Sequence, residues 1–600
     1  MSLFRGVPLL KSLSSVNMES NQKTTASQSR IRELVSIACL LFLYLAGIAI
    51  ANPFGNFPIN DDWIYGSAVS TFAKTGQMHL LGTNAFDFIP LYLAGFLSKL
   101  AGFSFDLLRF TSIAFHLFGT VGAYLAFREL SLAKWQATLF ASVFALNPFM
   151  VSLSLTFMTD VPALALTNWM FYFAIRAFQK KSLAAFVGSV IFLIAAMSVR
   201  QTALAFFPCI FFSGFIGFKT LKQRLILALS MLSVLLSYLG LHHWVQAIIT
   251  VHETESSNFT LVLRNSIVAL LSPLKLIEIQ AKSLCYLGLF VFPITIPLFA
   301  LAWQSPKSLK KTAIASTVVA LMLTLVPALY LVSTAVERAM PYYHNLFSPP
   351  YVGSYGLIGA EIIWPAKDLA KLDIFCAVVA TLCSFCIVQG ILQTYRSIAT
   401  RSEQALTDLF LLTSLAVSIL AVFAQILANG IDRYFLMVLA PVLLFFARIW
   451  VRVGASCASD MGSGFLSLCL FIFGTVAACD HMNFERTKWQ AIRQVEKMGV
   501  DASCIDGGPE YNLITGGLKH SASYVHTNAQ HGWSIENRGG PVRSRLRWWP
   551  VDREDYVVSC YFLDDFHVIG KLEYWSPFRW KNCPIYILEA DALVGKPHHS

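Results

Sequence analysis

The stretch 33-ELVSIACLLFLYLAGIAIANPFGNFPINDDWIY-65 decides how this chain is read. Its first part, Leu34 to Ala51, is an unbroken apolar run. At about 1.5 Å per residue in a helix, such a run approaches the roughly 30 Å of bilayer hydrocarbon. Its second part delivers two adjacent acids, Asp61 and Asp62, followed by the aromatics Trp63 and Tyr65. A carboxylate pair held against a bilayer is expensive to place and marks a site where something is bound or reacted.

The rest of the chain repeats the first part. Of its 600 residues 56% are hydrophobic and only 13% charged, with a mean hydropathy of +0.60. That composition excludes a soluble globular protein. Backbone groups inside a bilayer find no water, so the apolar runs must be helices. The sequence predicts an all-α polytopic membrane protein with about thirteen spans. Their cores are Leu34 to Ala51, Leu107 to Phe127, Ala137 to Leu155, Val161 to Phe178, Leu183 to Met197, Ala203 to Phe218, Leu225 to Trp244, Leu284 to Trp303, Thr312 to Val332, Ile374 to Leu392, Leu409 to Ala428, Tyr434 to Trp450 and Phe465 to Cys479.

Orientation follows from the basic residues, which short cytoplasmic loops retain. Arg5, Lys11, Lys23, Arg30 and Arg32 put the tail 1–32 inside. Arg128 and Lys134, Lys180 and Lys181, Lys219 with Lys222 and Arg224, Lys307 with Lys310 and Lys311, Arg396 and Arg401, and Arg448 with Arg452 mark alternate loops on the same side. Asp61, Asp62, Asp160, Glu253, Glu255, Glu337, Glu361 and Asp432 fall in the intervening loops, outside. Long outer loops cover 52–106, 245–283 and 333–373 of a membrane domain running 33–480. The odd number of crossings then places residues 481–600 outside as a small soluble α/β domain, with a helix at Phe484 to Met498 and strands at Tyr556 to Phe562, Val568 to Trp575 and Ile585 to Leu588. The net charge of +11 is accounted for by basic loops facing anionic lipid, with no nucleic-acid partner. Most of the twelve cysteines lie in apolar spans and read as small hydrophobes. Cys504, Cys560 and Cys583 lie in the outer tail, where an oxidising compartment could pair two of them.

Chemistry belongs with the outward polar groups. Asp61 and Asp62 offer a general base or a cation ligand, or else a helix N-cap. Asp160 in Thr159-Asp160-Val161-Pro162 stands at a helix start, where capping is the plain alternative. Arg200, in the turn Ser198-Val199-Arg200-Gln201-Thr202, breaks the positive-inside pattern and suits a phosphate, unless it only snorkels to headgroups. Asp432-Arg433-Tyr434 opens the twelfth span, where the charged neighbours could simply offset one another. His242, His243 and His252 lack metal-ligand spacing, so a divalent cation is the one cofactor left open. The segment Glu337 to Leu372 has the length of a lid.

Together these residues resemble glycosyltransferase family 39 of the GT-C superfamily, which includes protein O-mannosyltransferases and lipid A aminoarabinose transferases. Asp61, Asp62 and Tyr65 are similar to its first-loop Asp-Glu-x-x-Tyr element. Asp160 matches a second-loop Thr-Asp-x-Pro, and Arg109 an Arg-Leu start of the second span. Arg200 through Pro208 follows the spacing of a Lys-Gly-Pro segment, and Arg433-Tyr434 with Pro441 that of a late Arg-Tyr-Leu-x-Pro helix. The resemblance implies an inverting sugar transfer, at the outer face of a bacterial plasma membrane, from a polyprenyl-phosphate donor to a hydroxyl of a lipid, glycan or protein. Asp61 and Asp62 would be the catalytic pair, and Tyr65, Arg109, Asp160, Arg200, Arg433 and Tyr434 would contact substrates. Asp62 stands where the family has Glu, and Arg200-Gln201-Thr202 where it has Lys-Gly-Pro, so the sugar and acceptor do not carry over. The rival class is a lipid or sugar transporter or flippase, which gathers ionisable groups near the midplane and often has internal repeats. Here the acids collect at one face.

Overall fold

A computed structural model describes residues 31, 33–59, 62–80, 85–249, 272–304, 314–322, 324, 366–400, 402–429, 432–454, 456–508, 510–512, 514, 515, 555–560, 562, 566–577 and 579–591. Asp61, His252, the tail 1–30, most of the span expected at Thr312 to Val332 and the lid-length segment up to residue 365 lie outside the described residues.

The helices are α1 (Glu33–Ala51), α2 (Asp62–Thr75), α3 (Phe88–Ala101), α4 (Phe105–Glu129), α5 (Lys134–Ala145), α6 (Pro148–Ser154), α7 (Asp160–Lys180), α8 (Leu183–Met197), α9 (Phe207–Gly217), α10 (Leu221–Ile248), α11 (Pro273–Gln304), α12 (Ala366–Ala399), α13 (Ala405–Asn429), α14 (Leu436–Val453) and α15 (Cys457–Lys497). A further helical stretch occupies 314–322. Among the described residues eight helices are long and apolar enough to cross a membrane, and nine if α5 and α6 form one bent span. The chain is an integral, multi-pass membrane protein. Some of the runs expected among the thirteen spans are short or bent, because apolar content does not report length or straightness. Helix α8 has the expected bounds, but its 15 residues reach only about 22 Å. The run at Ala203 opens as a 3-10 turn, Gln201–Phe206, before α9. The run from Ala137 to Leu155 breaks by 61° between α5 and α6: Asn147 caps α6 through its side chain and Pro148 takes the first turn, where its missing N–H is harmless.

Close helix contacts rest on small residues, as membrane packing requires. A Cβ at Gly119 of α4 would sit 2.6 Å from the Ala165 Cα of α7, and the Asn168 side chain donates to the Gly119 carbonyl at 3.1 Å. Helix α10 instead exposes Leu225, Leu229, Leu232, Leu235, Leu236 and Leu239, a face suited to lipid tails.

Charge sorts by end. Arg128 pairs with Glu33, Arg176 and Lys180 with Glu129, and Arg448 and Arg452 with Asp408. These belong to the ends of α1, α4, α7 and α14 away from Asp62, Asp87, Asp160 and Tyr434.

The tail departs from expectation in one respect. The thirteenth span and the helix expected from Phe484 are one continuous helix, α15, of 41 residues, about 60 Å long. Its far half buries Phe484, Ile492 and Val495 against a four-stranded sheet ordered β1-β2-β4-β3. The strands are β1 (Ile505–Asp506), β2 (Tyr556–Ser559), β3 (Phe566–Ser576) and β4 (Lys581–Ala590). Strand β1 is parallel to β2, and the other pairings are antiparallel. A rigid helix thus carries the sheet back to the acidic end, where Trp489 stacks on Phe57 at 6.5 Å and Arg486 donates to the Asn52 carbonyl at 2.8 Å.

Candidate active site

The first outer loop is held from three directions. Asp106, in the first turn of α4, accepts from Gly55 N and Asn56 N at 3.0 Å each. Arg486 of α15 takes the Asn52 and Phe54 carbonyls. Arg109, only 1% exposed, is the hub: its guanidinium donates to the Leu155 carbonyl at 2.8 Å, the Phe57 carbonyl at 2.7 Å, Asp106 Oδ1 at 2.9 Å and the Pro53 carbonyl. Four of its five N–H donors are thus taken by the protein and tie α4 to the loop and to the end of α6. Arg109→Met should lower stability by about 3–5 kcal/mol, the scale for removing one partner of a buried ionic network. The readout is the thermal midpoint in detergent, and an unchanged midpoint would contradict the clamp.

Asp62 is likewise committed. Its Oδ1 accepts from Phe157 N at 2.6 Å and its Oδ2 from Ile59 N at 3.2 Å, and the residue is 2% exposed. One turn on, Tyr65 meets the Phe157 ring edge-on at 6.5 Å. Asp62 and Tyr65 therefore set the segment that leads into Asp160. A carboxylate bound to two backbone N–H groups is held in place, an arrangement that suits positioning better than proton transfer.

Beyond that segment lies a small, half-open cavity, with Asp160, Arg200, Arg433 and Tyr434 among its polar lining and Leu164, Phe206, Leu436 and Met437 among its apolar lining. Each polar residue is delivered by a helix end: Asp160 starts α7, Arg200 precedes the 3-10 turn into α9, and Arg433 and Tyr434 belong to the 3-10 turn Asp432–Phe435 before α14. Arg200 pairs with Asp160. The two guanidinium carbons stand 5.4 Å (Arg200) and 5.9 Å (Arg433) from the centre of the Tyr434 ring, and Arg433 also reaches Met158 Sδ at 3.7 Å. Two arginines beside one aromatic ring, above an apolar wall, offer cationic donors that an anionic group can meet. The structure thus brings Asp160, Arg200, Arg433 and Tyr434 together, with Asp62 and Tyr65 behind them and Arg109 away from the cavity.

A residue that sequence reasoning missed also stands here. Asp87, 1% exposed, lies close enough to Arg200 and Asp160 for both to act on its titration. Burial and, less strongly, Asp160 push its carboxyl well above the usual range, while Arg200 pulls the other way. A signal existed: Asp87-Phe88-Ile89-Pro90 is an acid just before Pro at an apolar helix start, much as in Asp160-Val161-Pro162. Among the described residues no group of three His, Cys, Asp or Glu side chains could hold a metal ion.

Residues 88–244 match the family model described as dolichyl-phosphate-mannose-protein mannosyltransferase. No curated protein matches the chain. Several solved structures are similar, among them the following three. The S. cerevisiae protein O-mannosyltransferase complex bound to its sugar donor aligns at 18% identity over 38% of this chain and 35% of that one, with a TM-score of 0.30. The Archaeoglobus fulgidus oligosaccharyltransferase in complex with an inhibitory peptide and a dolichol-phosphate aligns at 12% identity over 78% and 59%, TM-score 0.40. The Cupriavidus metallidurans ArnT bound to undecaprenyl phosphate aligns at 12% identity over 92% and 97%, TM-score 0.37. This chain thus spans about a third of the yeast protein's length. The segment similar to that family model, about a quarter of the chain, contains Asp160 and Arg200, a carboxylate and a guanidinium that line the cavity.

Proposed function

We propose that the protein is a membrane glycosyltransferase that moves a sugar from a polyprenyl-phosphate donor to an acceptor hydroxyl at the outer face of a bacterial plasma membrane. The observation that carries this reading is the cavity in which Arg200, Arg433 and Tyr434 form a cationic head above Leu164, Phe206, Leu436 and Met437. A phosphate would lie between the two guanidinium groups while its lipid runs along the apolar wall. In the reaction the acceptor oxygen forms a bond to the anomeric carbon, the bond from that carbon to the phosphate oxygen breaks, and the bonding pair leaves with the phosphate. The acceptor proton goes to the Asp61 carboxylate, with inversion at the anomeric carbon. Arg200 and Arg433 act by meeting the charge that grows on the leaving phosphate. Asp160 holds Arg200 in place through their ion pair. The sheet-bearing tail, docked through Trp489 and Arg486 on the first outer loop, is placed to guide the acceptor.

Native mass spectrometry of the purified protein tests the donor class. A co-purifying or added polyprenyl phosphate should remain bound and should be lost on Arg200→Gln, whereas equal retention by the variant would contradict the assignment. Sidedness has its own test. A reporter fused after Ser600 should signal from outside, because α15 carries the tail to the acidic end; a cytoplasmic signal would reverse the orientation.

A further inference from the structure

Asp160 pairs with Arg200, Asp87 stands nearby, and each carboxyl leaves one acceptor over. Backbone bonds from Asp87 N to the Val199 carbonyl at 3.0 Å and from Phe88 N to the Ser198 carbonyl at 2.8 Å lock the start of α3 against the exit of α8. That places Asp87 beside Arg200. Asp87 adopts a left-handed backbone, φ 47°, and its side chain makes no capping bond to α3, the ordinary use of an acid at that position. Asp160 gives one oxygen to Arg200. Asp160 Oδ2 and Asp87 Oδ1 have no hydrogen-bond partner, although the residues are 3% and 1% exposed. Buried carboxylate oxygens without donors are costly, and Asp160 lines the cavity.

The donors that would satisfy them are restricted by chemistry. An ionised phosphate and a lipid tail have none. A metal ion would want a further ligand, which the described residues do not gather. A hydroxyl fits both protonation states, since it donates to a carboxylate and accepts from a carboxylic acid. That matters beside Asp87, whose burial favours the neutral form. Resting on the donor reading above, we propose that Asp160 Oδ2 and Asp87 Oδ1 receive hydroxyl groups of the transferred sugar, so that these two residues determine which sugar is accepted.

The test compares two kinds of probe on the purified protein in lipid: a bare polyprenyl phosphate, and the same lipid phosphate carrying each of a panel of hexoses and pentoses. The quantity read is the ratio of the bare-lipid Kd to the sugar-lipid Kd for the tightest sugar. In the wild type it should be about tenfold or more, the scale of a hydrogen bond to a charged group. Asp87→Asn should bring the ratio down several-fold, with retained binding of the bare lipid showing that this variant is folded; Asp160→Asn should lower the ratio as well, on top of a weaker bare-lipid binding, because Asp160 also holds Arg200. Arg200→Gln should weaken both probes together and keep the ratio. A ratio of one for every sugar in the wild type, or wild-type ratios in both Asn variants, would overturn the sugar site while leaving the lipid-phosphate site standing. Failure of the wild type to bind either probe would overturn the donor reading and this inference with it.

Discussion

Replacing Asp61 by Asn is expected to abolish sugar transfer while leaving expression and folding intact. The amide keeps the shape of the side chain and its capacity to cap a helix, and removes only the basic oxygen. General-base catalysis typically supplies about a hundred- to ten-thousand-fold in rate, so turnover should fall by at least that factor. The neighbour makes the expectation sharper. Asp62 accepts from the backbone N–H groups of Ile59 and Phe157, which fix its carboxylate against the protein. Asp62→Asn should therefore lower stability and activity together, whereas Asp61→Asn should lower activity alone. Purified protein in lipid with a polyprenyl-phosphate sugar provides the assay, and wild-type turnover by Asp61→Asn would end the general-base assignment.

The second large effect falls on donor binding. Arg200→Gln should weaken binding of a non-hydrolysable donor analogue by about 1.5–3 kcal/mol, the usual scale for a hydrogen bond to a charged group, or about ten- to 150-fold in Kd. Arg200→Lys should fall between, because an ammonium keeps the charge but not the planar fork that grips two phosphate oxygens. The loss also releases Asp160, whose carboxylate is 3% exposed and paired with Arg200, so the glutamine variant leaves a buried acid facing the incoming phosphate. Equal affinities in the three proteins would reduce Arg200 to a headgroup contact and contradict its place in the donor site.

Much of this organisation was legible in the residues. Helix α8 was read with its observed bounds because Ser182 and the polar turn at Ser198 frame an unbroken apolar run. The gathering of Asp160, Arg200, Arg433 and Tyr434 followed from sidedness: each begins or precedes a span on the acidic side, and helix packing does the rest. What could not be read depends on contacts distant in sequence. The substrate role expected for Arg109 rests on the family resemblance, which does not report the three carbonyls that converge on its guanidinium from residues 53, 57 and 155. Asp87 was overlooked because its place beside Arg200 is set by backbone bonds to residues 198 and 199, which carry no periodic signal. The bend at Asn147-Pro148 disappears when hydropathy is averaged over a whole span. The boundary drawn after Asp480 reflected a real change in composition, yet a helix can pass from lipid to water without a break, as α15 does.

The central claim is that the cavity between the start of α7 and the turn before α14 holds a lipid phosphate. The most direct measurement is a cryo-EM structure of the protein in lipid with a polyprenyl phosphate. Phosphate density within hydrogen-bonding distance of Arg200 and Arg433, beside the Tyr434 ring and with its chain along Phe206, Leu436 and Met437, is the expected result. Phosphate density elsewhere, with those two guanidinium groups left unengaged, would contradict the account.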